Sequence, residues 1–421
     1  MRDMKQDAER LLAGELGYLD YAAELSEQPC AGGLAVTDAP YWKMLQKARD
    51  EGKKIIFISG PAPVELIYAF DCVPLSFDLL TPRLSENAAL IPPLMRQTEL
   101  RENADVCRLS KAQIGTLLIG DMGIRPDAYV AVPIPCDSAC MAYMALSVRA
   151  GAPSFQFDVP KRTGERSIAY LCAQYDAFVS FLERITGKRL DKDALRARME
   201  LSNRANELLA QNAALRNARP CPLHSNLNIC NELENAWGPT EGFCEMLEAE
   251  LALGKKRMAA GECLCPDGER HRAVLLHNML WKGVDYADFL ATHYNTAVVA
   301  DGYSYGRRAF FEHLEDEKDC RETASRRLLD GATVHGAGAN GQEMIDAICG
   351  VIEQRGADVS IFMGSSGCRH EWAATRMLDE AVQRRCGIAT LTLDTDNTDP
   401  NYRSEKEIRQ ALGEYMETVI R

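Results

Sequence analysis

Short apolar runs alternate with helical periodicity along most of the chain, and this pattern predicts two α/β units. The candidate strands of the first unit are IIFIS (55–59), AYVAVPI (128–134) and SFQFDV (154–159). Those of the second unit are AVLLHNML (273–280), AVVADG (297–302), VSIFMGS (359–365) and GIATLTLDTD (387–396). Nearly continuous apolar strands that alternate with helices are typical of parallel sheets covered by helices on both faces.

Two stretches carry helical periodicity without strands. Near the N-terminus Leu11, Leu16 and Leu19 fall at mixed helical spacings, and from Leu171 to Ile185 apolar residues recur every three or four positions. We therefore predict an α/β protein with two Rossmann-like or flavodoxin-like parallel-sheet domains. The predicted units are an N-terminal helical cap (1–50), a first α/β domain (51–165), a helical insert (166–265) and a second α/β domain (266–421).

The charge balance narrows the classes of partner. The chain has 421 residues with 48 Lys and Arg against 61 Asp and Glu, a net charge of −13. Binding to nucleic acid needs clustered basic residues, which this sequence lacks. No uncharged run approaches the about 18 residues of a membrane span, and the first residues lack the apolar core of a signal peptide. We expect a cytoplasmic protein that binds neither nucleic acid nor membrane.

The cysteines supply the first candidate chemistry. There are 15 of them, an odd number that suits disulfide pairing poorly. Cys136 and Cys368 each follow a predicted strand, one in each α/β unit, and Cys107 precedes a predicted helix. Ligands gather at the carboxyl ends of the strands in open α/β sheets, so these thiols are candidates for one shared metal site. Taken singly, each is better explained as a buried thiol, and only the three positions together favour a metal.

The spacing of the cysteines favours an iron-sulfur cluster over a structural zinc ion. The sequence has no CxxC pair, which structural zinc sites usually show. Cys136 and Cys140 form CxxxC, but Tyr143 stands where a radical-enzyme motif has its third cysteine. Cys263 and Cys265 form an isolated CxC. Widely spaced cysteines from two domains are compatible with an iron-sulfur cluster.

Two other motifs lead to weaker hypotheses. Glu65 lies in the first turn of a predicted helix beside a strand end, where it is a candidate base or simply a favourable partner of the helix dipole. Residues 336–341 spell GxGxxG, but a charged helix rather than a strand precedes them. The dinucleotide fingerprint requires that strand, so we interpret this segment as a linker.

Several motifs in this order resemble the 2-hydroxyacyl-CoA dehydratase and benzoyl-CoA reductase family, from about residue 54 onward. They are PVELIYAF (63–70), DVCRLSKAQIG (105–115), PCDSACMAYM (135–144), ITGKRLDKDALRARMELSNRANELL (185–209), SGCRHEW (366–372) and GIATLTLDTDNTDPNYRSEKEIRQAL (387–412). The C-terminal text is more similar to the larger, alpha-type subunit.

The resemblance implies a ligand set. In this family three cysteines of each subunit hold a 4Fe-4S cluster in which one iron lacks a cysteine ligand, and the matching positions are Cys107, Cys136 and Cys368. A related branch holds a double cubane with six cysteines. The additional three would fall near Ser59, near residues 125–126 and near Asp301, and none of these is cysteine here.

The resemblance also implies a reaction. Family dehydratases eliminate water from a 2-hydroxyacyl-CoA through a ketyl radical, after one-electron activation by a separate ATP-dependent iron-sulfur protein. A homologous or identical subunit completes the enzyme, which is anaerobic and oxygen-sensitive. This chain lacks the phosphate-binding motif GxxxxGK(S/T). By strand-end position and family motif, Glu65 is the expected acid or base near the acyl chain, and Ser59 the expected hydrogen-bond donor to the leaving hydroxyl.

Three alternatives stay open from the sequence. One is an ATP-dependent reductase subunit of the benzoyl-CoA or double-cubane type. Another is a non-catalytic subunit that only carries a cluster. The third is a two-lobed, metal-free binder of small molecules, which two α/β halves alone would also fit. The acyl group of the substrate is open as well, because FISGPAP (57–63) stands where dehydratases often carry an aromatic residue and a serine.

Overall fold

The computed structural model describes residues 3–27, 36–101, 106–119, 125–132, 134, 136–162, 164–276, 285–304, 309–331, 341–396, 398–399 and 401–420. Cys30 and residues 336–340 of the GxGxxG segment lie outside the described residues.

The first sheet has four parallel strands. They are β1 (Ile55–Ser59), β2 (Val73–Ser76), β3 (Ala128–Ala131) and β4 (Ser154–Gln156), in the order β2-β1-β3-β4. Phe57 is in register with Leu75 on one side and with Tyr129 on the other. The chain leaves β1 toward one edge and later returns to its other side, so the sheet has a topological switch point between β1 and β3.

The second sheet repeats this plan. Its strands are β5 (His271–Leu276), β6 (Thr296–Ala300), β7 (Val359–Ser365) and β8 (Thr390–Thr395), in the order β6-β5-β7-β8. All pairings are parallel, and the switch point lies between β5 and β7. The predicted α/β class with two parallel-sheet domains is confirmed.

Helices surround both sheets. Three precede the first sheet: α1 (Met4–Leu12), α2 (Tyr18–Leu25) and α3 (Ala39–Asp50). Those among its strands are α4 (Val64–Ala69), α5 (Phe77–Ser85), α6 (Ile91–Glu99), α7 (Arg108–Leu118) and α8 (Asp137–Ala150). Between the sheets lie α9 (Glu165–Thr186), α10 (Lys192–Leu215), α11 (Leu227–Trp237) and α12 (Glu241–Ala260). The second sheet is accompanied by α13 (Asp285–Tyr294), α14 (Glu317–Asp330), α15 (Gly341–Arg355), α16 (Arg369–Cys386) and α17 (Glu405–Thr418). No helix in the described part of the chain combines the length and apolarity that crossing a bilayer requires.

Strand boundaries differ from the predicted ones in the first sheet. The sequence pattern did not predict β2, which is four residues long and contains Pro74. Such a strand offers little periodicity to detect. The fourth strand ends at Gln156 rather than at residue 159, because the Asp158 amide donates to the Gln174 side chain (2.7 Å) instead of to the sheet.

The two sheets are buried differently. The first sheet, the N-terminal helices and the helices between the sheets share one hydrophobic core, in which Trp42, Phe57, Phe178 and Trp237 are almost fully buried. The second sheet has separate apolar clusters on its two faces. The predicted boundaries between cap, first domain and insert cross the shared core and stay predictions.

Candidate functional site

The carboxyl edges of the two sheets meet through Arg108, the first residue of α7. Its guanidinium donates to the Ser366 hydroxyl and to Asp396 (3.2 Å), and lies 3.5 Å from the Asp399 carboxylate. It also stacks on the Tyr402 ring, 4.5 Å from the ring centre. These contacts join the first α/β unit to the loops after β7 and β8, so both switch points border one interface.

Each of the three predicted cysteines is the residue that begins a helix. Cys107 precedes α7 and its Sγ accepts from the Ser110 amide (3.4 Å). Cys136 precedes α8 and accepts from the Ala139 amide (3.3 Å). Cys368 precedes α16. The N-terminus of a helix carries partial positive charge and free amides, which stabilise a thiolate and hydrogen-bond to its sulfur.

The contact of Gly367 with Cys107 and the electrostatic effects of the cysteines on one another show that these three thiols lie near one another. A Cβ on Gly367 would come within 2.9 Å of the Cys107 Cα, so the loop that carries Cys368 lies directly on Cys107. Burial, followed by the charge of Cys107, raises the pKa of Cys136 to about 12. The pKa of Cys368 is also raised, by burial first, then by Glu371, Cys136 and Cys107.

The chemistry of the three thiols is compatible with an iron-sulfur cluster, whose usual ligands are thiolates. In the described residues no three His, Cys, Asp or Glu side chains are arranged to hold one metal ion. A cubane has a separate iron for each thiolate, so its ligands stand farther apart than those of one ion, and thiolates are its usual ligands. Cys72 does not belong to this group, because it directly precedes β2 and so lies at the opposite, amino edge of the sheet.

Ser59, the last residue of β1, is held by a buried carboxylate. Its hydroxyl donates to Asp78 Oδ2 (3.2 Å), which also accepts from the Gly60 amide (3.1 Å). The other oxygen of Asp78 accepts from Gln113 Nε2 (3.2 Å). Burial raises the pKa of Asp78 although these three donors oppose the shift. The predicted role of Ser59 stays a prediction, and its hydroxyl proton is directed at Asp78.

Glu65 lies on the wall of a cavity that is partly open to solvent. It is almost fully buried, and its Oε1 accepts from the Ser202 hydroxyl (2.6 Å) and from Arg327 Nη1 (2.8 Å). Arg327 in turn stacks on Phe311, 4.2 Å from the ring centre. The structure thus places Glu65 beside a cavity, as a candidate acid or base requires, but in an ion pair.

Two functional candidates escaped the sequence analysis. Glu232 of α11 is buried and hydrogen-bonds to Tyr303 and Asn235. Burial and the charge of Asp78 raise its pKa to about 8. Tyr303 lies in the loop after β6, and its pKa is raised by burial and then by Glu232, Asp78 and Glu371. The position of Tyr303 after a strand was the one signal in the sequence.

Comparison with known proteins identifies the family. A family model described as 2-hydroxyglutaryl-CoA dehydratase, D-component, matches residues 61–419. The chain belongs to this family. An (R)-phenyllactyl-CoA dehydratase alpha subunit from Clostridium sporogenes is 19% identical over 326 residues, which cover 74% of this chain and 77% of that subunit.

Membership of the dehydratase family confirms the resemblance seen in the motifs. The matched region includes the three helix-initiating cysteines and Glu65, whereas Ser59 lies just before it. The iron-sulfur cluster, the activator and the roles of individual side chains stay predictions.

Proposed function

We propose that this chain is the alpha-type, iron-sulfur subunit of a 2-hydroxyacyl-CoA dehydratase that eliminates water from its thioester substrate after one-electron activation. The observation that carries the proposal is the convergence of Cys107, Cys136 and Cys368 from both α/β units on the interface between their carboxyl edges. A metal-free binding protein has no need of three such thiols at helix N-termini.

The elimination needs more than a base. The β-hydrogen of a 2-hydroxyacyl thioester is far too weakly acidic for a side chain to remove at neutral pH. When bound by the three cysteines, a 4Fe-4S cluster would supply a low-potential electron and a positive centre beside the thioester carbonyl. The chain's own contribution is to hold the thiolates: the Ser110 and Ala139 amides donate to two of the sulfurs.

The acyl chain is proposed to enter the cavity beside Glu65. Among the residues that line it, Pro61, Ala62, Pro63 and Val64 supply apolar surface, and Asn206 and Asn231 supply polar groups. Arg327 and Ser202 both donate to Oε1 of Glu65, and this glutamate lines the cavity. In this arrangement Glu65 is the proposed acceptor of the β-proton.

The proposal requires partners. An electron of very low potential must come from another protein, and the chain lacks the phosphate-binding motif for ATP hydrolysis. We therefore propose a separate ATP-dependent iron-sulfur activator and a homologous dehydratase subunit. The relative from Clostridium sporogenes bears the name of an alpha subunit, which is consistent with a multi-subunit enzyme.

Anaerobic purification with iron and sulfide analysis tests the cluster. The wild-type chain should be brown and contain iron and sulfide in equal amounts, close to one cubane per chain. Cys107→Ala, Cys136→Ala and Cys368→Ala should each lose the colour. Cys386→Ala is the matched control, because it lies at the other end of the helix that Cys368 begins, and it should retain the cluster. Cys30→Ala should retain it as well. Equal retention in all variants would exclude the proposed ligands.

Product analysis tests the reaction and separates it from a reductase. The chain, its partner subunit and its reduced activator are supplied with 2-hydroxyglutaryl-CoA and (R)-phenyllactyl-CoA as probes. The dehydratase predicts an enoyl-CoA with no net consumption of electrons. Stoichiometric consumption of reductant would favour an ATP-dependent reductase, and a cluster-loaded chain that never binds a thioester would favour a carrier subunit.

A further inference from the structure

The guanidinium of Arg108 crosses from the first α/β unit to the loops that follow β7 and β8. One of its partners there, the carboxylate of Asp396, is fully buried. The Asp396 oxygen that does not contact the arginine accepts from the amides of Thr398 (2.9 Å) and Asp399 (2.7 Å). The loop after β8 is therefore folded around a buried negative charge that is paired with a cation from the other unit.

The same arginine links two of the candidate cluster ligands. It directly follows Cys107 in the chain, and it donates to the hydroxyl of Ser366, two residues before Cys368. The turn that carries Cys368 is in turn fixed to the second sheet, because the Ser366 amide donates to the carbonyl of Thr395, the last residue of β8 (2.8 Å). The arginine thus connects the backbone segment of one ligand to that of the other.

Helix α7 is held in the first unit at points beyond its first turn. The side chain of Gln113 is buried and donates to Asp78 Oδ1 (3.2 Å). A Cβ on Gly115 would clash with the carbonyl of Leu94, so α7 packs directly on the backbone of α6. A side chain at the start of such a helix has a fixed origin, and the bonds that it makes to the second unit constrain the position of that unit.

Apolar packing does not supply this constraint at the carboxyl edges. Among the described residues, the core of the first unit includes parts of α14 but no strand of the second sheet, whose apolar clusters are separate. An arginine suits the task, because its planar guanidinium offers several donors in a fixed geometry and stacks on an aromatic ring, here that of Tyr402. A lysine has a single charged nitrogen and does not reproduce both kinds of contact.

On the basis of the proposed iron-sulfur site, we propose that Arg108 is a positioning residue that holds the Cys368 turn against Cys107. Cys107 and Cys136 belong to one unit, and Cys368 is the ligand that the other unit must supply. The contacts of the arginine across the interface keep the two sides close enough for one cluster to bind all three thiols. Arg108 acts through the backbone segments that it joins and takes no part in the chemistry itself.

Thiol cross-linking of the cluster-free chain tests the positioning role without turnover. A short bis-maleimide should join Cys107 to Cys368 in the wild type, as mass spectrometry of the linked peptides would show, because both thiols are only partly buried. The yield should fall about 10-fold in Arg108→Met, since hydrogen bonds to a charged group carry enough free energy for such a shift. Arg108→Lys keeps a cation beside Asp396 and so protects the fold, and its yield should lie between the two.

Arg403→Met is the matched control for the cross-linking. Arg403 lies in the same loop after β8 and donates to the Asp394 carbonyl (3.2 Å) within the second unit. Its variant should cross-link as the wild type does. Wild-type yields in both Arg108 variants, or no link between Cys107 and Cys368 in the wild type itself, would overturn the proposal.

Iron release from the anaerobically loaded chain tests the consequence for the cluster. With a chelator in excess, Arg108→Met should lose iron about 10-fold faster than the wild type, and Arg403→Met should lose it at the wild-type rate. Equal rates in all three proteins would overturn the positioning role. If not even the wild type takes up iron, the proposed iron-sulfur subunit fails, and the cross-linking yields alone still decide whether Arg108 holds the Cys368 turn.

Discussion

Two buried glutamates of this molecule, Glu65 and Glu232, occupy opposite electrostatic environments. Glu65 forms an ion pair with Arg327 and accepts a hydrogen bond from Ser202. Glu232 faces Asp78, and its pKa is raised to about 8. The same side chain is thus an ion-pair partner in one place and a holder of a proton in the other. The comparison shows that the neighbours of a buried acid, and not its burial alone, decide which chemistry it can perform.

Removing the positive charge beside Glu65 should have the largest effect on stability. Arg327→Met leaves Glu65 buried without its cation, and we expect a loss of about 2 to 4 kcal/mol, somewhat less than for a fully buried pair because the arginine is partly exposed. Urea unfolding measures the loss.

Arg321→Met is the matched control for that variant. Arg321 lies on the same helix, α14, in a largely exposed pair with Asp176. Its replacement by Met should lower the free energy of unfolding by less than about 1 kcal/mol. Equal losses in the two variants would mean that the Glu65 pair has no special importance.

The effect of Glu232→Gln on stability should have the opposite sign and should depend on pH. A carboxyl whose pKa is raised by folding contributes stability that is complete below its ordinary pKa and is lost as the pH rises through its folded value. The free energy of unfolding of the variant should therefore be higher than that of the wild type by roughly 1 to 3 kcal/mol near pH 9. This difference should disappear toward pH 5. Unfolding curves across this range check the sign, with Glu245→Gln, at an exposed position of α12, expected to follow the wild type throughout. A variant that is less stable than the wild type near pH 9 would contradict the assignment.

Gly367→Ala should disturb the cysteine side and leave the Glu65 side unchanged. The added Cβ meets the Cys107 backbone at 2.9 Å, so the loop must move, at a cost of about 1 to 3 kcal/mol. The iron content of Gly367→Ala should fall. In the double variant with Arg327→Met, the two losses of stability should add, because the two sites are independent.

Gly350→Ala provides the comparison for that substitution. Apart from its chain neighbours and the backbone of its own helix, no described atom lies within 4 Å of the methyl group that this change adds. The position is inside α15, so the change should stabilise the protein slightly and leave the iron content unaltered. Loss of iron from this variant would show that glycine substitution alone, rather than the Cys107 contact, disturbs the site.

The sequence was informative wherever the signal is local. Strand periodicity predicted seven of the eight strands in the described part of the chain, and the positions of Cys136 and Cys368 after strands placed both thiols on carboxyl edges. Cys107 was predicted as a ligand from its motif as well as from its position before a predicted helix.

The partners of the acids were not predictable, because they come from distant segments. Arg327 is 262 residues from Glu65 along the chain. Glu232 lies in an amphipathic helix, where a glutamate is usually solvated, and its environment arises only when α5, α11 and the loop after β6 pack together.

Anomalous X-ray scattering at the iron edge, from crystals grown anaerobically, tests the central claim most directly. The account predicts one compact group of iron atoms bonded to Cys107, Cys136 and Cys368 between the carboxyl edges of the two sheets. Iron bound elsewhere, or a brown protein in which these three sulfurs carry none of it, would contradict the account.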